Sequence, residues 1–192
     1  LPRGALIYYI ASDFTPSSTQ HVIDPRYTLR SCFVPVFEPR NHQEMHEAAS
    51  IAVKVAREYN TSIVILASGN LCHSEGLIAL MEKESRDPIE VEDFRPYNCL
   101  PSLARPSYDA IHAERMPGLR KMVEESPLNK WNRGYGRTGI ITYGVNTLFV
   151  EEYKTMFNPD VDVLSIGFTH PLPMNTIRQF CDSIEGDVYI IE

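Results

Sequence analysis

The chain has 192 residues, 43% hydrophobic and 22% charged, with a formal net charge of -7. This length supports one or two small domains with real cores, in a composition ordinary for globular proteins. The acidic excess excludes a general nucleic-acid or anionic-membrane surface, which needs a basic patch, and no apolar run approaches the roughly 20 residues of a membrane span. The first residues, Leu1-Pro-Arg-Gly-Ala5, carry neither an initiator Met nor a signal-peptide core, and read as an internal start. The four cysteines, Cys32, Cys72, Cys99 and Cys181, are scattered with no Cys-x-x-Cys pair. That excludes a zinc ribbon or an iron–sulfur site with clustered ligands, and fits the reduced thiols of a cytoplasmic protein.

In chain order, Ala5–Ile10 is a nearly continuous apolar run, as expected of a strand buried on both faces. A polar loop follows from Ser12, then a short strand over Phe33–Phe37, in which Pro35 suggests an edge position. From His42 to Tyr59, residues Met45, Ala48, Ala49, Ala52, Val55, Ala56 and Tyr59 form one helical stripe, and Asn41 with Glu44 makes an N-cap pattern close to a capping box. Ser62–Ala67 is a second buried strand, and a helix is predicted over Gly76–Glu84. Residues 85–136 are rich in proline and weakly periodic. They read as an interdomain linker with one helical segment near Tyr108–Glu125, broken or kinked at Pro117-Gly118.

From Arg137 onward the pattern is strand, glycine turn, helix, strand, Pro-Leu-Pro turn, helix, strand. The strands are Thr138–Tyr143, Val161–Ile166 and Asp187–Glu192; Val145, Leu148, Phe149, Met156 and Phe157 fit one helix packed on the sheet, and Ile177, Phe180, Cys181 and Ile184 the other. The alternation predicts an α/β fold with parallel sheets flanked by helices. An ending on the last apolar strand predicts a domain cut short, and open strand edges and apolar helix faces predict self-association.

Three motifs fail on context. Gly134-Tyr-Gly-Arg-Thr-Gly139 matches G-x-G-x-x-G, but a dinucleotide site needs a strand before it and a helix after, and here a strand follows. His42-Gln-Glu-Met-His46 resembles a zinc helix, yet its glutamate is displaced by one position, so a solvated first helical turn is expected. Ser17, Ser18 and Thr19 near Asp13, His21 and Asp24 lack the G-x-S-x-G elbow of a serine hydrolase. Two positions carry more. The loop from Ser12 to Arg26, with Asp13, Ser18, Gln20, Asp24 and Arg26, leaves the carboxyl end of a strand, where loops are often functional. Gly144 lies where a parallel strand meets a helix N-terminus, which either forms a tight turn or holds an anion with Asn146 or Thr147 assisting.

Taken in order, these segments resemble one family. The loop Ser12–Arg26 is similar to the D-D-P-x-x-x-S-S-Q-x-x-x-D-x-R pattern of the alpha subunit of indolepyruvate ferredoxin oxidoreductase, matched at Asp13, Ser18, Gln20, Asp24 and Arg26. Glu38-Pro-Arg-Asn-His-Gln-Glu44 resembles its E-P-x-x-x-Q-E, His73-Ser74 with Gly76 its S-H-S-R-G, Thr138–Gly144 its G-I-I-T-S-G, and Gly167–Pro173 its G-x-x-Y-P-L-P. The resemblance implies that residues 1–84 are the C-terminal part of a pyrimidine-type thiamine diphosphate domain, 85–136 the linker, and 137–192 a truncated transketolase-C-terminal-like domain. It implies a parent enzyme that oxidatively decarboxylates aryl 2-oxoacids to acyl-CoA, with thiamine diphosphate, Mg2+ and [4Fe-4S] clusters passing electrons to ferredoxin. Partners would be the remainder of the alpha subunit and a beta subunit. The aminopyrimidine glutamate, the Gly-Asp-Gly segment and the cluster cysteines lie outside this sequence, so the chain alone is expected to be inactive and without bound cofactor. Leu66, Asn70 and Glu75 align with family arginines, and these losses leave a second reading, a non-catalytic binding or assembly module from a degenerate homologue.

Overall fold

A computed structural model describes residues 6–12, 24–82 and 100–192. They form two four-stranded sheets flanked by helices. In the first sheet, β1 (Ile7–Ser12), β3 (Ile63–Ser68) and β2 (Val36–Phe37) run parallel, and β7 (Phe168–His170) closes the order β1-β3-β2-β7 antiparallel to β2. In the second, β6 (Asp162–Ile166), β5 (Gly139–Tyr143) and β8 (Val188–Ile191) are parallel, and β4 (Lys130–Asn132) joins β6 antiparallel, giving β4-β6-β5-β8. The expected parallel α/β architecture is therefore present, with one antiparallel strand at an edge of each sheet.

The two sheets are stitched rather than merely linked. β6 ends at Ile166 in the second sheet, and after Gly167 alone the chain enters β7 in the first. A β-carbon on Gly167 would run into the Leu128 side chain, and its backbone is held on both sides, its N–H donating to Asn129 Oδ1 at 3.3 Å and its carbonyl accepting from Glu38 N at 3.0 Å.

Alternation along the strands sorts the core. On one face of the first sheet, Phe37, Ile63, Ile65 and Phe168 pack with Ala48, Ala52, Val55 and Ala56 of helix α2 (His42–Glu58). On the other, Val34, Val36, Val64 and Leu66 meet Leu29 and Cys32 at the end of α1 (Arg26–Ser31). A short helix α3 (Gly69–Cys72) follows β3. In the second sheet, Ile140, Val161 and Val163 pack under Val150 of α6 (Asn146–Met156), and Ile141, Leu164 and Ile166 under Phe180 of α7 (Met174–Asp182).

Several expectations are corrected. β1 is not buried on both faces: it lies at the sheet edge, with Tyr8 and Tyr9 about half exposed. β2 is not an edge strand; only Val36 and Phe37 pair, so Pro35 has no ladder N–H to supply and offers its carbonyl to Val64 N at 2.9 Å. The predicted helix over Gly76–Glu84 is absent across the described residues 76–82, which lie as irregular chain along α2. Three α2 side chains hold this segment: His42 on the Ser74 carbonyl, Gln43 on Ala79 N and O, and His46 accepting from Met81 N. The two histidines are thus not simply a solvated helical turn. In α6 the packed face is Thr147, Val150 and Lys154; Leu148, Phe149, Met156 and Phe157 point outward.

The segment assigned to a linker contributes to both layers. Helices α4 (Pro101–Ala110) and α5 (Met116–Glu124) are joined by a π-helical turn, Ile111–Arg115, so the helical run passes Pro117 without breaking. Proline lacks the N–H of a regular turn, and the wider turn absorbs the mismatch, with Met116 N bonding to Ile111 O. Ile111, Met116, Leu119 and Val123 enter the main core beside α2.

The glycines of Gly134–Gly139 serve packing. Gly134 lies against the Asp160–Val161 backbone and Gly139 against Phe180. Gly136 donates its N–H to buried Asp162, whose carboxylate also takes Trp131 Nε1 at 3.1 Å. Behind them the Lys154 ammonium donates to the carbonyls of Asn132, Arg133 and Val161. Burial raises the Asp162 pKa, but the bonds from Gly136, Gly134 and Trp131, with Lys154 nearby, outweigh it and hold it below its ordinary 3.8. A depressed folded pKa contributes stability that is complete above the unfolded value and is lost as pH falls through the folded one. Asp162→Asn should therefore flatten the acid limb: below about pH 4, the urea midpoint of the variant should fall less steeply than that of the unmodified chain.

Candidate functional site

The carboxyl ends of β1, β3 and β5 converge on a small cleft lined by Ser12, Arg26, Glu38, Leu66, Tyr143 and the turn Gly144-Val145-Asn146. At its centre is Glu38, 4% exposed, which follows β2 directly. Arg26, the first residue of α1, forks onto it: Nε donates to Oε1 and Nη2 to Oε2, both at 2.9 Å. Thr169 of β7 donates its hydroxyl to Glu38 Oε1 at 2.6 Å. Asp24 binds the other side of Arg26, accepting its backbone N–H at 2.9 Å and Nη1 at 3.2 Å. The guanidinium lies 4.9 Å from the centre of the Tyr143 ring.

These contacts set the electrostatics. Burial lowers the Arg26 pKa, and the paired bond to Glu38 more than offsets it, leaving it raised. Burial pushes the Tyr143 hydroxyl up to about 12 against the pull of Arg26. The phenol therefore stays neutral at ordinary pH, a hydrogen-bonding and stacking surface rather than a base.

The two regions singled out from sequence thus meet in one place. Arg26, Gly144 and Asn146 lie about Glu38, with Asp24 bonded to Arg26, while Asp13, Ser18 and Gln20 lie outside the described residues. Thr147 is not part of the cleft wall; it is fully buried beneath α6 and its hydroxyl finds no partner. Gly144 adopts φ +55°, and a β-carbon there would sit 3.4 Å from Glu38 Oε2. The helix start expected to attract an anion thus has a carboxylate of the chain itself beside it. Because the space is tolerable but the backbone is left-handed, Gly144→Ala should cost about 1 kcal/mol, read as a drop in urea midpoint.

A second charged group lies just behind. Buried Arg40 bonds Glu44 through Nε at 2.8 Å and through a short Nη2 contact, and reaches Ser165 of β6 through Nη1 at 2.8 Å. Glu44 Oε2 also takes Arg40 N at 3.0 Å, while Asn41 caps Glu44 N at 2.9 Å. The capping box is therefore shifted, with the glutamate reaching back to Arg40 instead of Asn41. Sequence reasoning named neither Glu38 nor Arg40, Ser165 or Thr169 as site residues. The motif Glu38–Glu44 held the signal, since two acids and an arginine at a helix entry need buried partners.

Chemically, the cleft offers a compensated charge network, a neutral phenol and the Asn146 amide. The buried Ser12 hydroxyl, on its wall, has no hydrogen-bond partner among the described residues. The cleft volume is about 10 Å3, about what a single water needs.

No protein-family model matches the sequence. An indolepyruvate oxidoreductase subunit IorA from Methanothermobacter marburgensis is 27% identical over 99% of this chain. The chain is similar to IorA along nearly its whole length. IorA subunits from Pyrococcus abyssi and Archaeoglobus fulgidus match at 26% and 24% identity, again over 99% of the chain. The chain spans about a third of the length of these curated relatives, 31% of the Methanothermobacter subunit and 30% of the Pyrococcus one. Among solved structures, a 2-oxoglutarate:ferredoxin oxidoreductase from Magnetococcus marinus, determined with 2-oxoglutarate, coenzyme A and succinyl-CoA bound, superposes with a TM-score of 0.56. It covers 81% of this chain and 34% of its own, at 12% identity, a likeness of fold. The resemblance read from the ordered motifs and the IorA similarity agree.

Proposed function

We propose that this chain serves as part of the alpha subunit of a 2-oxoacid:ferredoxin oxidoreductase of the IorA type, acting on aryl 2-oxoacids such as indolepyruvate. The observation that carries the reading is the similarity to IorA across 99% of the chain. The convergence of Asp24, Arg26 and the Gly144 turn on Glu38 supports it. In this reading, residues 1–84 belong to a pyrimidine-type thiamine diphosphate domain and residues 137–192 to a transketolase-C-terminal-like domain, with 85–136 between them. In this reading the loop residues Asp13, Ser18, Gln20, Asp24 and Arg26 belong to the cofactor-binding loop, and Arg26 and Glu38 brace its described end. The reading places the protein in the cytoplasm, with a beta subunit and ferredoxin as partners of the whole enzyme.

Thiamine diphosphate, Mg2+ and [4Fe-4S] clusters are the cofactors such an enzyme uses. The described residues do not fit the first of these by themselves. The cleft at Gly144 is about 10 Å3, and its arginine is already bonded to Glu38 and Asp24. Nor do three or more His, Cys, Asp or Glu cluster as metal ligands among the described residues. The chain's part is to hold a wall in place, and no chemical step is assigned to it.

Two measurements test this. The protein purified from its source should reduce a viologen dye in a 2-oxoacid- and coenzyme-A-dependent way, fastest with aryl 2-oxoacids; no 2-oxoacid-dependent reduction would defeat the assignment. The 192-residue chain alone, titrated calorimetrically with thiamine diphosphate and Mg2+, should show no tight binding, and tight magnesium-dependent binding would refute its supporting role.

A further inference from the structure

Beside β7, at the edge of the first sheet, a groove of about 680 Å3 runs between the end of α1, helix α5 and the start of α7. Its charged lining is Arg30, Arg120, Lys121, Glu124 and Glu125, with His170 at its wall. Two of the acids are committed. Glu124 caps α7, accepting Asn175 N at 2.7 Å, Thr176 N at 3.1 Å and the Thr176 hydroxyl at 3.0 Å. Glu125 lies 4.0 Å from Lys121, one turn away on the same helix.

What remains is one-sided. Among the described residues, Arg30 and Arg120 have no hydrogen-bonded or ion-paired partner. They come from different elements, α1 and α5, and both act on His170. The Nε2 of His170 is buried and also has no partner. A buried polar atom without a partner is uncommon and costs stability. Burial, and next the two arginines, hold this imidazole below its ordinary 6.5, and no protonation state of it can offset their positive charge.

We propose that the groove binds a phosphate monoester, its phosphate set between the Arg30 and Arg120 guanidiniums that line it from α1 and α5. Two forked cations match the double charge of a phosphate better than a singly charged carboxylate. The volume exceeds what phosphate fills and lies within the range of small-molecule sites. Met116, Leu172 and Met174 supply apolar lining for the organic part. The groove borders the Glu38 cleft at Thr169, and its anion site does not depend on the oxidoreductase reading.

The test is a titration of the 192-residue chain with inorganic phosphate, and separately with acetate at matched ionic strength, following the His170 ring by NMR. Phosphate should give a saturable shift that acetate does not. Arg30→Gln and Arg120→Gln should each weaken it about tenfold, the scale of one charged hydrogen bond, while circular dichroism shows both folded. Arg105→Gln removes the same charge from α4, where Arg105 pairs with Asp109, and should leave binding unchanged. The proposal is overturned if phosphate does not saturate, if acetate matches it, or if Arg105→Gln weakens binding as much as the other two.

Discussion

Arg40→Ala is expected to destabilise the fold by about 3–5 kcal/mol, the range for removing one partner of a buried ion pair. Arg40 is 3% exposed and Glu44 6%. Without the guanidinium, the Glu44 carboxylate keeps only the Arg40 N–H and a distant Lys130 ammonium at 4.0 Å, and Ser165 loses its donor. Lysine would not rescue it, since one ammonium cannot meet Glu44 and Ser165 with the planar fork that Arg40 uses. The informative control is the double variant Arg40→Met with Glu44→Met, which removes both charges and should recover most of the loss, because an apolar pair of similar volume avoids the desolvation penalty. Urea unfolding read by circular dichroism measures both. A loss below about 1 kcal/mol for Arg40→Ala, the scale of a surface pair, would mean that water reaches Glu44.

Glu38→Ala should follow closely, costing about 3 kcal/mol, because Arg26 is left partly buried without the carboxylate onto which it forks. The effect should be shared rather than local, since Glu38 ties α1 through Arg26 and β7 through Thr169. A double-mutant cycle with Arg26→Ala isolates the pair, and a coupling of about 1–3 kcal/mol is expected for residues in direct contact. Near-perfect additivity of the two single losses would show that the fork is not what holds the wall together. The same cycle run with Thr169→Val reports whether the third member stabilises the carboxylate or only fills space.

Much of this was readable from periodicity alone. The stripe of Ala48, Ala52, Val55 and Ala56 located α2, and the apolar runs at Ile63–Ala67 and Val161–Ile166 located central strands. The strand–helix alternation from Arg137 gave the second sheet. The misses have specific causes. Gly76–Glu84 carries an apolar pattern that α2 uses differently: its first-turn side chains bond the backbone there, so the described residues 76–82 lie as irregular chain against them. The outward Leu148, Phe149 and Phe157 read as a core stripe because periodicity reports a face and not which way that face is turned. A proline usually breaks a helix, so Pro117 predicts a break or kink, and the π-helical turn that accommodates it leaves no mark in composition. At the site, glycine and loop chemistry pointed to Gly144 and Arg26. Their shared partner, Glu38, was hidden because pairing between residues 12 and 131 positions apart has no local signature.

The passage from β6 to β7 through Gly167 has a mechanical consequence. A single residue held by Asn129 on one side and Glu38 on the other is too short and too tightly tethered to serve as a hinge. Any tilt of the second sheet must carry Thr169 with it and pull on the Glu38 carboxylate. The Glu38 carboxylate therefore couples the crossing between the sheets to Arg26 and α1.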